Sequence, residues 1–492
     1  MKIKFLGTAA AEGWPALFCN CEGCIKAREL GGRDIRTRSQ AIIDDVLLID
    51  FPCDTYMHAL NTGIDMSAVK ISLITHAHSD HFYPEDYFIR GDCYAHEMTS
   101  QKLILAAGKT VIDTFHSRLE GKIDASVLSD IEIVELHAFE PVPLEGYKIT
   151  PLPADHMYGS IAFVYLIEKG GKAILYLNDT GMPLNEVFDY LKSTGVYVDF
   201  VSFDCTYCLL ENSRGHMGIK CNYEAKLRLI DMGICDDKTR FYINHFSHNG
   251  KVTHKDLSFA ALEYGFNVTF DGCEVDLSDN IYVYETHAHT SEVSPCGKVC
   301  AKDVIRSHYN AGLKGIAITD HYYKGYFDKL GDIPWREKAE RFLSGYRKAR
   351  EAAQGLDFDV ILGMELRFEE NFNDYLIYGV TEELIYDYPE LYKMNPESFK
   401  EFAGKHNLTI YQAHPFRKGL TRAPAHTLTG VEVENGNPRH NSKNDRAKEF
   451  AEENNLRQMT GTDYHQPQDL GYSPMRFDRR IRNSGELRDI LP

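Results

Sequence analysis

The stretch from Thr75 to Pro84, Thr-His-Ala-His-Ser-Asp-His-Phe-Tyr-Pro, constrains this chain more than any other. It follows residues 69–74, a short apolar and β-branched run that predicts a buried strand. Three histidines and one aspartate therefore leave a strand end within six positions, where their side chains can converge. Imidazole and carboxylate groups suit Zn²⁺, Mn²⁺ or iron. The alternative is a polar turn whose histidines only form hydrogen bonds within the loop. Four potential ligands within six positions favour a two-metal site instead.

A second stretch in the other half of the chain, Thr286 to Glu292, also contains Thr-His-Ala-His. The residues that follow the two stretches differ, and so do the later polar residues that could complete each site. With 492 residues the chain exceeds one ordinary core, and two to three domains are expected. We therefore predict two unrelated metal-binding domains in tandem and not an internal repeat.

The amino-acid composition and net charge indicate which kinds of partner the chain can bind. Apolar residues make up 43% and charged residues 26%, which is typical of a globular protein. The net charge of −18 disfavours a surface that wraps a nucleic acid. Small phosphorylated substrates stay compatible with this charge, because bound metals supply positive charge locally.

The first residues, Met1 to Gly7, alternate like a strand and lack the apolar run of a signal peptide. No stretch has the length needed to cross a bilayer, so no membrane partner is expected. Twelve cysteines without a signal peptide indicate reduced thiols. We predict a cytoplasmic protein.

Three of those cysteines, Cys19, Cys21 and Cys24, form a C-x-C-x-x-C motif ahead of a helical run. Three thiolates from one loop can bind one structural Zn²⁺ if a fourth ligand comes from elsewhere. An incidental grouping of cysteines is the alternative. The spacing favours zinc.

Further polar residues of the first half come directly after strand-like runs. They are His156, Asp179, His216 and His245. Any one of these histidines alone would be an ordinary structural residue, but together they favour a common site. Asp179 follows the apolar run 173–177 and has two oxygens with which it could bridge two metals.

The order and spacing of these residues resemble the metallo-β-lactamase fold, an αββα sandwich, which we place at residues 1–277. The resemblance implies two metals. The first would be held by His76, His78, His156 and Asp179. The second would be held by Asp80, His81, Asp179 and His245, with Asp80 also counted as catalytic.

More narrowly, the cysteine loop resembles that of the phosphoribosyl cyclic phosphodiesterases of the carbon–phosphorus lyase pathway. Those enzymes pair it with a histidine three residues after the last catalytic ligand, which here is His248. The resemblance implies a structural Zn²⁺ on Cys19, Cys21, Cys24 and His248, and it makes His216 the general acid. Antibiotic-hydrolysing relatives lack this loop and depart at Asp80, which disfavours β-lactam cleavage.

After a short polar joint at residues 278–280, strand-like runs again end in potential ligands. These ligands are His287, His289, His321, Glu365, His414, Asp463 and His465. Strand, ligand, helix and strand in succession are typical of a β/α barrel, whose active residues gather at the carboxyl ends of the strands. We place this second domain at residues 281–492.

This half resembles the PHP (polymerase and histidinol phosphatase) family of distorted (β/α)7 barrels. The resemblance implies one metal on His287, His289, Glu365 and Asp463, a second on Glu365 and His414, and a third on His321 and His465. The sequence departs from the family pattern at two places, so the number of metals, two or three, stays open. Val380 stands where the family has a histidine, and after His289 only Glu292 is a candidate ligand. Mn²⁺ or Zn²⁺ is expected in both domains.

Arg367, Arg417 and Arg439 lie just past ligand strands or in a loop rich in glycine and asparagine. The planar guanidinium suits phosphate oxygens, so Arg367 and Arg417 are candidate catalytic residues. A surface salt bridge is the alternative for each arginine.

Both resemblances include cyclic phosphodiesterases. They predict a double phosphohydrolase that opens 5-phospho-α-D-ribosyl 1,2-cyclic phosphate and then hydrolyses the monoester. The predicted partner is a small phosphorylated sugar, and a homodimer is allowed for. One alternative is a phosphodiesterase or nuclease acting on nucleotides or nucleic acid, and another is a domain that serves only as a metal-binding scaffold.

Overall fold

The computed structural model describes residues 1–91, 93–119, 121–157, 159–278 and 282–492. The chain divides into two compact units, residues 1–278 and 279–492. Residues 279 and 280 of the predicted joint, and residue 281, where the second domain is predicted to begin, lie outside the described residues. Within the described ranges, no helix combines the length and the apolar character that a bilayer crossing requires.

Unit 1 alternates strands and helices along the chain. Its strands are β1 (Lys2–Gly7), β2 (Gln40–Ile43), β3 (Leu47–Ile49), β4 (Ile71–Ile74), β5 (Leu103–Ala107), β6 (Ile131–Glu135), β7 (Val142–Leu144), β8 (Tyr147–Pro153), β9 (Phe163–Lys169), β10 (Lys172–Leu177), β11 (Phe200–Asp204), β12 (Arg240–Asn244), β13 (Asn267–Val268) and β14 (Glu274–Asp276). Its helices are α1 (Glu22–Leu30), α2 (Thr55–Thr62), α3 (Lys109–Leu119), α4 (Ala125–Ser129), α5 (Asn185–Thr194), α6 (Ile219–Asp231) and α7 (His254–Tyr264).

The strands of unit 1 form two sheets, ordered β14-β1-β2-β3-β4-β5-β6 and β13-β12-β11-β10-β9-β8-β7. Side chains of both sheets, such as Phe5 and Phe200, meet in one buried cluster between them. Separate clusters pack α3 against the first sheet and α5, α6 and α7 against the second. Each sheet is therefore covered on both faces, which explains why β4 is buried along its whole length. The predicted αββα sandwich is confirmed.

Unit 2 begins its described part with a strand that contains His287 and ends just before His289. Its strands are β15 (Tyr282–Ala288), β16 (Gly315–Ile318), β17 (His321–Tyr322), β18 (Asp359–Leu362), β19 (Met364–Arg367), β20 (Asp374–Tyr378), β21 (Thr409–Gln412), β22 (Gly430–Asn435), β23 (Arg457–Gly461) and β24 (Met475–Phe477). Its helices are α8 (Ala301–Asn310), α9 (Lys324–Lys329), α10 (Trp335–Phe342), α11 (Ser344–Ala352), α12 (Glu382–Asp387), α13 (Pro396–His406), α14 (Asn444–Glu453) and α15 (Ser484–Ile490).

The strands of unit 2 close into a ring. One sheet has the order β18-β16-β15-β24 and the other β17-β19-β20-β21-β22-β23. The chain passes from the first sheet to the second between β16 and β17 and again between β18 and β19, and a bridge from Ala288 to Tyr464 links β15 to the segment after β23. Counted through these joints, the described residues form a barrel of seven strand segments. It is distorted because β20 runs antiparallel to both neighbours, and the predicted fold class is confirmed.

Candidate metal centres

The loop after β4 is held by Asp50, a residue at the end of the neighbouring parallel strand β3. The Thr75 backbone N–H and hydroxyl both donate to Asp50 Oδ1 at 2.8 Å. Asp50 Oδ2 lies 2.7 Å from Nδ1 of His81, which leaves Nε2 of that ring facing the cavity of the site. Asp50 therefore orients a predicted ligand, a role that the sequence did not indicate.

Three histidines converge at the first predicted metal position. Nδ1 of His78 lies 2.9 Å from Nε2 of His76 and 3.3 Å from Nε2 of His156. The facing atoms of the three rings all lie within 4.8 Å of one another, a spacing that suits one shared ion. His76 is buried and His78 is exposed, so the position opens towards solvent on one side.

The second position combines the buried residues Asp80, His81, Asp179 and His245. Nε2 of His81 lies 3.3 Å from Asp80 Oδ2 and 3.2 Å from Asp179 Oδ2, and Nε2 of His245 lies 2.8 Å from Asp179 Oδ1. Asp179 also approaches His156 at 3.9 Å, so its carboxylate lies between the two positions. His245 adopts a left-handed backbone conformation with φ of 63°.

These side chains fit a pair of metal ions. Among the described residues, Nε2 of His81, Nε2 of His245 and Oδ1 of Asp179 are buried and have no hydrogen-bond partner. Buried polar atoms rarely stay unpaired, and three of them aimed at one another suit a shared cation. Burial opposes charge on Asp179, but His245 and His81 hold the pKa of its carboxyl well below the usual range.

His216 lies in the loop after β11 and lines the same cavity of about 510 Å³ as Asp80 and Asp179. Its Nδ1 lies 2.8 Å from Oδ2 of Asp204, a residue that sequence reasoning did not assign to the site. Burial opposes the charged ring, but the Asp204 carboxylate raises the pKa of His216 to about 9. The position of the ring in the cavity and its raised pKa both suit a proton donor.

The cysteine loop meets His248, as the resemblance implied. The Sγ atoms of Cys21 and Cys24 each lie 3.5 Å from Nδ1 of His248, and Cys19 completes a group within 4.8 Å. The hydrogen bond to His248 lowers the pKa of the Cys21 thiol to about 6, whereas burial raises that of Cys24 to about 11. Three sulfurs and one ring nitrogen are the donor set of a closed zinc site.

Replacing Cys21 by serine is expected to lower the zinc content by about one ion per chain and the melting temperature by about 5–10 °C, because a closed zinc site contributes directly to folding. Elemental analysis and a thermal melt measure the two effects. Cys53→Ser, at an exposed cysteine of the same unit, is the matched control. Unchanged zinc and stability in the Cys21 variant would exclude the structural site.

In the barrel, Glu365 on β19, three residues after the end of β18, occupies the centre of the predicted cluster. Its Oε1 lies 3.4 Å from Nε2 of His287 and 3.3 Å from Nε2 of His414, and its Oε2 lies 3.4 Å from Nε2 of His289. Asp463 Oδ1 approaches both His287 and His289 at 3.4 Å. Both oxygens of Glu365 are buried without a hydrogen bond among the described residues, which suits a carboxylate that bridges two ions.

Glu432 on β22 was not identified from the sequence. Its Oε1 lies 2.8 Å from Nδ1 of His287, and its Oε2 accepts the backbone N–H of His414 at 2.9 Å. Metal-binding histidines commonly donate their second ring N–H to a carboxylate in this way. Glu432 therefore fixes the orientation of His287, and its only sequence signal is its place on a strand between two ligand strands.

His321 and His465 lie at a separate edge of the cluster, against the thiol of Cys296. Sequence reasoning considered Glu292 here, but Oε2 of Glu292 accepts the backbone N–H of Ala301 at 3.0 Å, at the start of α8. The sequence did not indicate Cys296, because the resemblance to the PHP family implies only histidine and carboxylate ligands. Burial opposes its ionisation, but hydrogen bonds from His321 and His465 lower the pKa of the Cys296 thiol to about 6.

Val380, which stands where the family has a histidine, packs in the core of the barrel. The residue is 2% exposed and belongs to the hydrophobic cluster that contains Leu366 and Ile377. It supplies no ligand, and the count of two or three metals stays a prediction.

The three arginines all make ion pairs. Arg367 donates from Nε and Nη2 to Asp374 at 2.7 and 2.8 Å, and Arg439 pairs with Asp469 at 3.0 Å. Arg417 donates to Oδ2 of Asp463 at 2.8 Å, which places it against a predicted metal ligand. Its Nε is buried and has no partner among the described residues. Arg417 therefore has one donor that makes no hydrogen bond among the described residues, and the catalytic roles of Arg367 and Arg417 both stay predictions.

Several solved structures are similar to one part of the chain each, with low sequence identity and low TM-scores. A diphosphatase of the PhnP family is 19% identical, covers 56% of this chain and 98% of its own, and has a TM-score of 0.44. Zn²⁺-bound PqqB from Methylobacterium extorquens is 17% identical, with coverages of 56% and 100% and a TM-score of 0.43. A two-domain protein from Bacteroides vulgatus with a PHP-like metal-dependent phosphoesterase is 20% identical, with coverages of 39% and 55% and a TM-score of 0.30.

No curated protein matches the chain. Family comparison matches residues 50–243 to the beta-lactamase superfamily domain, residues 285–458 to the PHP domain and residues 441–491 to the PHP-associated segment. Both families have the folds of metal-dependent hydrolases, in agreement with the ligand sets described above. The chain therefore carries an N-terminal metallo-β-lactamase-fold domain and a C-terminal PHP domain with its PHP-associated segment.

Proposed function

We propose that the protein is a phosphohydrolase that opens a cyclic phosphodiester and then hydrolyses the resulting monoester. The preferred substrate is 5-phospho-α-D-ribosyl 1,2-cyclic phosphate. The observation that carries the proposal is that His216, whose ring lies 2.8 Å from Asp204, shares one cavity with residues of two convergent ligand sets in unit 1. The second, separate ligand cluster in unit 2 supports a second hydrolytic step.

Divalent metals bound to such ligands lower the pKa of bound water and stabilise negative charge on phosphoryl oxygens. Opening a cyclic diester also needs a proton donor for the departing oxygen, and unit 1 supplies one. With Nδ1 of His216 bonded to Asp204, the other N–H of the charged ring is left to protonate the departing oxygen. Thr206 Oγ1 lies 3.1 Å from the same Nδ1 and 2.8 Å from Nδ1 of His245, so one hydroxyl restrains both rings.

The barrel suits a monoester better than unit 1 does. A monoester dianion carries more charge than a cyclic diester and gains more from a guanidinium donor. Arg417 lies against Asp463 and keeps a buried, unpaired Nε among the described residues. We therefore assign ring opening to unit 1 and phosphate release to unit 2.

A phosphate-release screen of the purified protein tests the proposal. The substrates are the ribosyl cyclic phosphate, the corresponding linear bisphosphate, a nucleoside cyclic phosphate and a short oligonucleotide. Turnover of the first two in preference to the others is expected. Preferred cleavage of the oligonucleotide would instead support a nuclease, which the net charge of −18 disfavours.

Replacing His216 by alanine is expected to lower the rate of ring opening by about 10²- to 10⁴-fold while both metals of unit 1 are retained, because the ring serves proton transfer and not metal binding. Steady-state rates and metal content by elemental analysis are measured together. His137→Ala, at an exposed histidine of the same unit, is the control. A His216 variant as active as the parent would remove the general-acid assignment.

A further inference from the structure

We propose that Cys296 is a thiolate ligand in the barrel, and that with His321 and His465 it forms a zinc position chemically different from the histidine and carboxylate positions beside it. The inference concerns metal binding and does not depend on which phosphoester is hydrolysed. It assigns a role to a cysteine that neither family comparison nor the sequence motifs indicated.

The two histidines present the same ring nitrogen to one sulfur. Nε2 of His321 and Nε2 of His465 each lie 3.1 Å from Sγ of Cys296. Two ligands on one tetrahedral zinc, with Zn–S and Zn–N bonds of the usual lengths, are about 3.5 Å apart. Both S···N distances are therefore within about half an ångström of the spacing that a shared zinc ion sets.

The opposite nitrogen of each ring faces an oxygen atom. Nδ1 of His321 lies 2.7 Å from Oε2 of Glu365, and Nδ1 of His465 lies 2.7 Å from the backbone oxygen of Asp463. A proton on each Nδ1 would point towards that oxygen, and Nε2 of a neutral ring would then direct its lone pair at the sulfur. Metal-binding histidines commonly have their second ring nitrogen against a carboxylate or a backbone oxygen in this way.

A neutral thiol has one proton and can donate it to only one of the two facing nitrogens. A thiolate between two charged rings could instead accept both N–H groups, and this metal-free arrangement is the alternative that the test below separates from metal binding. A cation bound by all three atoms satisfies each of them, and it leaves a coordination position for water or substrate, as in three-ligand zinc sites.

The donor set also predicts which metal binds. Thiolate is a soft ligand that favours zinc, whereas carboxylate and imidazole also accept manganese. The neighbouring positions around Glu365, His287 and Asp463 have oxygen and nitrogen donors alone. We therefore expect protein loaded with Mn²⁺ to keep one zinc ion at Cys296 in addition to the zinc of the Cys21 loop.

The test compares the parent protein with Cys296→Ser, Cys296→His and the matched control Cys300→Ser, whose thiol bonds Asp303 at 3.2 Å. Each protein is equilibrated with Mn²⁺ and analysed for residual zinc, then loaded with Co²⁺ for absorption spectroscopy. Cys296→Ser should lose about one zinc ion per chain and part of the sulfur-to-cobalt charge-transfer band. Cys296→His should bind the metal again without restoring that part of the band, because imidazole replaces the sulfur.

Zinc content and cobalt spectrum of Cys296→Ser equal to those of Cys300→Ser would overturn the proposal. If the serine variant does not fold, alkylation of the parent decides the question. Peptide mapping after iodoacetamide should show Cys296 protected when Zn²⁺ is bound and modified after chelation, whereas exposed Cys53 reacts in both states. Equal modification of Cys296 with and without Zn²⁺ would show that the sulfur is not a ligand.

Discussion

Asp179→Ala is expected to remove metal from unit 1 and to lower ring opening by more than about 10³-fold. The carboxylate lies 2.8 Å from His245, 3.2 Å from His81 and 3.9 Å from His156, so both ligand sets lose a member at once. The loss also leaves the rings without the negative charge that opposes their mutual repulsion. Metal content and the rate on the cyclic substrate are measured on the same preparation.

Asp189→Ala, at an exposed position on α5, is the matched control and should match the parent in both measurements. Thermal melting distinguishes loss of metal from loss of fold. An Asp179 variant that keeps two metals in unit 1 and turns over the cyclic substrate normally would contradict the bridging role.

Glu365→Gln is expected to abolish release of inorganic phosphate and to leave ring opening intact, so that a ribose bisphosphate accumulates. The amide keeps the shape of the side chain but loses the charge with which both oxygens face His287, His289 and His414. Phosphorus NMR of the products distinguishes the diester, the bisphosphate and free phosphate. Glu370→Gln, at an exposed residue nearby, serves as control.

The converse variant, His78→Ala, should stop ring opening and preserve phosphate release from added bisphosphate. Together the two variants separate the activities of the two units. Phosphate release at the parent rate by Glu365→Gln would show that the barrel is not the monoesterase, and the proposed division of labour would then fail.

Residues that end strands could be predicted as a group from the sequence, because an apolar run followed by a polar residue marks the place where a buried strand reaches solvent. This pattern led to His76, Asp179, Glu365 and Asp463, and the structure brings each of them into a cluster. The pattern is local, so it needs no knowledge of which strands become neighbours.

Residues that orient the ligands could not be predicted in the same way, because the tertiary fold sets which histidine each of them meets. Asp50 reaches His81 only because the sheet order sets β3 beside β4. Glu432 meets His287 across 145 positions of sequence, and Cys296 meets His465 across 169. Asp204 lies only 12 positions before His216, and the two meet because the loop after β11 folds back.

The left-handed backbone at His245 and Asp463 means that their ligand geometry is pre-organised. Their φ values of 63° and 56° are disfavoured for residues with a Cβ, by about 1–2 kcal/mol each. Both residues are only 1% exposed, so tertiary packing helps to hold these turns. The free-energy cost of these two strained turns is then part of the free energy of folding. Metal binding does not have to provide it, so the ions bind to ligands that are already positioned.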